Sequence, residues 1–171
     1  CAVIKTSDKK KFQLLKTDSV VEGVHYLSSD SPIAVGYKAM ARAMSDIAAM
    51  GGTPHHALVT LIINPSSKLS YIKSLYKGLS KAAALYEISI VGGETATAGK
   101  NSKNSITISL TGSVQKNQCC YRSKGKPGHK LYVTGKMGGS IKGKHLKFTP
   151  RITEARWLAS KFTPSAMMDL S

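Results

Sequence analysis

The sequence predicts an α+β fold, a mixed sheet with helices on one face, followed by the start of a second α/β domain. Two observations carry that expectation. Apolar residues change along the chain between helical spacing and strand alternation, in the order β-β-α-β-α-β-β. The composition then shifts to Lys, Gly and Pro over residues 115–128, which sets a boundary between a first domain at 1–116 and a second at 117–171.

Phe12-Gln13-Leu14-Leu15 reads as a short strand that delivers Thr17 and Asp18 at its C-terminal end. Ser31-Pro32 starts a helix, with serine as N-cap and proline in the first turn. Ile33, Tyr37, Met40, Met44 and Ile47 follow at spacings of four and three, one apolar stripe, and Gly51-Gly52 ends the helix. An apolar strand over 57–63 runs into the turn signal Asn64-Pro65. A second helix spans 69–86 with Ile72, Tyr76, Leu79 and Ala83 on one side. A short strand at 88–91 enters a Gly92-Gly93 turn, and 95–105 reads as a polar loop. Ile106-Thr107-Ile108-Ser109-Leu110-Thr111 alternates strictly, the mark of a half-buried strand. Beyond the boundary, 131–134 predicts a strand and 151–162 a helix.

Composition narrows the function. With 171 residues, 42% of them hydrophobic, the chain has enough apolar surface for one core and part of another. The net charge of +16 raises nucleic acid as a partner. Against it, only Arg42, Arg122, Arg151 and Arg156 are arginines, and the lysines are scattered without interleaved aromatics, apart from Lys9-Lys10-Lys11. That pattern is a solvated surface whose field favours a small anionic substrate. Cys119 and Cys120 are adjacent and Cys1 is remote, so no disulfide framework is implied and the reading is a reducing, cytoplasmic compartment. Apolar runs such as 61–63 are far too short for a membrane span.

Asp18, Asp46, Glu94 and Asp169 stand beside small or glycine residues in four separate elements. Carboxylates converging in that way suit Mg2+, which takes hard oxygens and binds through one or two carboxylates plus phosphate oxygens. Phosphoryl transfer rests on positioning and charge neutralisation, and no covalent nucleophile is expected. Each residue also has a plainer reading. Asp46 has Arg42 one turn away as an ion-pair partner. Gly92-Gly93-Glu94 is a turn sequence, His25 a strand-end histidine bonded to backbone, and Tyr76 part of an apolar stripe.

Taken in order, Lys16-Thr17-Asp18-Ser19-Val20-Val21-Glu22-Gly23-Val24-His25, Met44-Ser45-Asp46-Ile47-Ala48-Ala49-Met50-Gly51-Gly52 and Val91-Gly92-Gly93-Glu94-Thr95 resemble the thiamine-monophosphate kinase family. Its superfamily also holds aminoimidazole-ribonucleotide synthetase and selenophosphate synthetase. The resemblance implies an N-terminal domain that binds ATP and several Mg2+ ions and pairs with a second copy, the two sheets extending into a shared barrel. Its metal positions fall on Thr17, Asp18, Asp46, Glu94 and Asp169. ATP contacts fall on Tyr76, Gly93, Glu94, Arg122 and Ser171, and the contact to thiamine monophosphate on His25. The implied reaction is direct in-line transfer of the ATP γ-phosphate onto the phosphate of thiamine monophosphate.

Three departures stand out. Lys16 occupies a position where the family often has a small hydroxyl residue whose backbone ligates metal, Glu94 replaces a common aspartate, and His129 replaces an aspartate after Pro127-Gly128. Gly135-Lys136-Met137-Gly138-Gly139-Ser140 lacks the Lys-Ser/Thr ending of a Walker loop. The resemblance further implies that both chain ends cut through active-site motifs, so that this piece alone is impaired. The alternatives are a sister synthetase of the superfamily and, from another class, a non-catalytic basic module for nucleotide or nucleic acid.

Overall fold

Alternation along Lys11–Val21 (β2) builds the first long strand of the computed structural model, which describes residues 1–170. A short strand, Ala2–Lys5 (β1), pairs antiparallel with it. The first long helix is Pro32–Ala49 (α1), and Thr53–Ile63 (β3), Leu69–Ala84 (α2), Ser89–Thr97 (β4) and Ser105–Gln115 (β5) follow. A last helix is Ile152–Lys161 (α3). The five-stranded sheet has the order β1-β2-β5-β3-β4, antiparallel throughout except for the β3–β4 pair. That single parallel pair is joined through α2, as a parallel connection requires a crossover.

The period of two sorts the sheet into unlike faces. Leu14 and Val20 of β2, Val59 and Leu61 of β3, and Ile106, Ile108 and Leu110 of β5 are buried in one core with Met40, Met44 and Ile47 of α1. Among the described residues, the opposite face carries no helix. It presents hydroxyl pairs, Thr17 with Ser109 at 3.4 Å and Ser19 with Thr107 at 2.7 Å, among the half-exposed Leu15, Leu58 and Ile62. The helices therefore lie on one side only, as the pattern predicts.

Gly36 and Gly78 set how α2 joins α1. A Cβ on Gly36 would stand 2.1 Å from the Leu75 carbonyl oxygen, and one on Gly78 1.9 Å from the Ile33 carbonyl oxygen. The two backbones touch, and no side chain fits between them. Leu75, Leu79 and Ala82 are fully buried behind that contact.

The strands differ from expectation at several points, and β4 also takes in Thr95 to Thr97 of the expected loop. β2 runs on to Val21, so Thr17 and Asp18 lie within the strand and not at its end, because β5 supplies partners along all eleven residues. Gly92-Gly93 is no turn: β4 passes through it, with a register shift against Ala57/Leu58. Residues 131–134 form no strand. Leu131 and Tyr132 are exposed there with no neighbouring strand to complete a ladder, and an unpaired strand is not stable in water. After the boundary region, α3 turns back onto the first core, burying Ile152, Ala155 and Ala159.

Candidate functional site

The polar side of α1 is the floor of the site. Lys38, Arg42, Ser45 and Asp46 fall at spacings of four, three and one, which places them on one stripe of the helix. β2 brings Lys16 and Asp18 against that stripe, on the same strand face as Leu14 and Val20. Lys16 Nζ lies 2.7 Å from Asp46 Oδ2 and 3.9 Å from Asp18 Oδ2. The Arg42 guanidinium reaches Asp18 Oδ1 at 3.5 Å and donates to the Ser19 carbonyl at 3.2 Å. Arg42 therefore crosses to β2 and does not pair along its own helix, and Asp46 takes its cation from β2 in return.

Two chain segments close over the stripe. The Ser45 hydroxyl lies 2.7 Å from the Arg42 carbonyl and 2.9 Å from Asp169 Oδ2, which ties the Asp169 segment to the residue next to Asp46. His145, in a 3-10 turn at Lys144–Leu146, places Nδ1 2.7 Å from Lys38 Nζ. Lys38 is a buried lysine and also donates to the carbonyl of His25. Burial pushes its ammonium below the ordinary lysine range, and the Arg42 charge adds to that.

His25 completes the site from the loop after β2. Its Nδ1 accepts the Val21 backbone N–H at 3.0 Å, so the neutral ring carries its proton on Nε2. Burial lowers its pKa from 6.5, the Arg42 and Lys38 charges lower it further, and Asp18 opposes them. The ring is thus a neutral hydrogen-bond donor, with a group of cations behind it.

The remaining candidates lie elsewhere. Thr17 and Asp18 are neighbours on a strand and point to opposite faces, so the Thr17 hydroxyl sits on the open face against Ser109. Glu94 lies on the edge strand β4, with β3 and β5 between it and β2, roughly 14 Å away at the usual strand spacing. Its carboxylate is exposed and, among the described residues, accepts only the next N–H, that of Thr95, at 2.8 Å. Gly93 is required where it stands: φ is +149° and a Cβ would meet the Val59 carbonyl oxygen at 1.8 Å. Tyr76 packs against the core and lines a shallow groove along α2 with Lys73, Lys77 and Lys81. Arg122 is exposed in a 3-10 turn, and Ser171 lies outside the described residues.

Among the described residues, no three His, Cys, Asp or Glu side chains are clustered so as to hold a metal ion. Asp18 and Asp46 do reach one cation together, the Lys16 ammonium, which acts as a stand-in ion. Two hard-oxygen donors from separate elements are the protein share of a Mg2+ site, so this pair fits the metal. Lys38, Ser45 and His145 join the site without a role assigned to them from sequence. The spacing of Lys38, Arg42 and Ser45 was the available signal for the first two, and His145 had none.

Residues 1–114 match the family described as AIR synthase related protein, N-terminal domain. Over 182 residues the chain is 34% identical to the thiamine-monophosphate kinase of Bacillus subtilis, covering 93% of this chain and 55% of that protein. The thiamine monophosphate kinase structure from Aquifex aeolicus superposes with a TM-score of 0.84 at 30% identity, over 94% of this chain and 60% of that one. A structure described as AaThiL complexed with AMPPCP and TMP superposes at 0.77 with 27% identity, over 92% and 55%. The chain spans about half the length of the curated relatives it matches. No helix among the described residues is long and apolar enough to cross a membrane.

Proposed function

Because the chain belongs to the family of AIR synthase related proteins through their N-terminal domain, we propose that it is the nucleotide- and metal-binding part of a thiamine-monophosphate kinase. The reaction moves the γ-phosphate of ATP onto the phosphate of thiamine monophosphate, giving thiamine diphosphate and ADP. The observation that carries this reading is the meeting of Asp18 and Asp46 at one cation, with Asp169 bonded to the Ser45 hydroxyl next along α1. The 34% identity to a named kinase of this activity and the likeness to a structure complexed with AMPPCP and TMP support the choice of substrates.

We assign the metal to Asp18, Asp46 and Asp169. When bound, Mg2+ neutralises and orients the polyphosphate. The protein groups do the rest of the positioning. His25 donates from Nε2 to a phosphate oxygen of thiamine monophosphate, and Lys38 fixes the His25 backbone by binding its carbonyl. Tyr76, Gly93, Glu94 and Arg122 are assigned to ATP. The Gly93 backbone is open to close approach, and the lysines beside Tyr76 favour phosphate. We place the protein in the cytoplasm, in keeping with three free cysteines. We also propose that it pairs with a second copy through the open sheet face.

The test is thiamine diphosphate formation from thiamine monophosphate, ATP and Mg2+, run beside Mg2+-dependent binding of a non-hydrolysable ATP analogue. Asp46→Asn is expected to lower both, the turnover by roughly 10²-fold, the usual scale for one charge-stabilising group. Nucleotide binding that needs no Mg2+ and survives Asp46→Asn overturns the reading.

A further inference from the structure

The feature of the site that its function does not require is Lys16. A kinase that gathers divalent ions between Asp18 and Asp46 gains nothing from a lysine side chain aimed at both carboxylates, and a residue without an amine would leave that place free. Here the ammonium is 2.7 Å from Asp46 Oδ2 and 3.9 Å from Asp18 Oδ2, and all three side chains are about four-fifths buried. Arg42 contacts the other oxygen of Asp18. Two carboxylates are thus matched by two cations, and an ion arriving at the point between them must displace the ammonium.

We infer that Lys16 is a built-in cation that holds one divalent-ion place between Asp18 and Asp46, so that this chain binds one Mg2+ fewer than the same chain with a small residue at position 16. The inference rests on the metal-dependent kinase reading above. Geometry supports it in three ways. The stem of Lys16 rises from β2 on the face packed against α1, so the ammonium is delivered by the strand and not by a mobile loop. An ammonium is a compact point charge, as a metal ion is, and it can contact two carboxylates that meet at a single point. Its partners come from two different elements, so the lysine also ties β2 to α1 where an ion would otherwise do so.

The experiment is a count of Mn2+ bound to the chain without nucleotide, by electron paramagnetic resonance of the free ion, for wild type, Lys16→Ser, Lys16→Met and Lys16→Arg. Lys16→Met keeps most of the stem, which guards against a loss of packing, and thermal melts identify any variant that fails to fold. One additional Mn2+ per chain in Lys16→Ser and Lys16→Met, none in Lys16→Arg, and loss of the extra ion in Lys16→Ser/Asp46→Asn are the expected results. Equal stoichiometry and affinity in wild type and all single variants overturn the inference, since the ammonium then leaves as the ion arrives. No Mn2+ bound by any of them, with or without an ATP analogue, overturns the metal reading itself and this inference with it.

Discussion

At the scale of single residues, the site is a set of charges whose partners lie across elements. Arg42 could bind Asp46 one turn along α1, and on sequence alone that is the ordinary outcome. The fold instead pairs Arg42 with Asp18 and Asp46 with Lys16, because β2 lies directly against the helix. His25 gives this scale a measurable consequence. Its pKa is held below 6.5 in the fold, so near that pH the unfolded chain binds more protons than the folded one. The stabilising contribution is complete above pH 6.5 and is lost as pH falls through the lowered value. Thermal melts from about pH 7.5 to about pH 5.5 should show a larger drop for wild type than for His25→Gln, whose amide oxygen still accepts the Val21 N–H. Equal drops would mean that His25 titrates alike in both states. Asp18, Asp46 and His25 stand in motifs that mark them as candidates, and the fold brings Asp18 and Asp46 to one ammonium. Lys38 was not legible, since a lysine within a helix reads as solvated and only the fold shows that it is buried.

At the scale of elements, both helices and the alternating strand β5 follow from their periodicity, and α1 begins where its Ser-Pro signal sets it. Ser31 contributes through its carbonyl, which accepts from Val35 at 2.9 Å, and its side chain makes no cap bond. Glycine was the least legible signal. Gly92-Gly93 reads as a turn, yet it lies within β4, and at Gly93 the parallel neighbour β3 comes too close for a Cβ. Gly36 and Gly78 carry no local signal at all, and their role exists only once α1 and α2 cross. Gly78→Ala gains about 1 kcal/mol of helix propensity. Driving a methyl into the Ile33 carbonyl costs about 1–3 kcal/mol or more, since backbone cannot move aside as a side chain can. Net destabilisation in urea unfolding is the expected result, and a stabilised variant would show that the helices stand further apart.

At the scale of the whole molecule, the sheet is covered on one side and open on the other. Leu15, Leu58 and Ile62 are 37%, 47% and 43% exposed on the open side, among threonines and serines, a mixed surface suited to association. Sedimentation should find a dimer for wild type and a shift toward monomer for Leu58→Lys, and a monomeric wild type would remove the proposed pairing. The sheet order has a further consequence, for the way the chain reaches its fold. Its central ladder joins β2 to β5, and the Thr17–Ser109 pair spans 92 residues. The entropy of closing so long a loop must be met before those contacts form, which slows folding relative to local hairpins and helices. During synthesis α1 and α2 emerge well before β5, so their apolar sides and the inner face of β2 wait uncovered until the last strand arrives between β2 and β3.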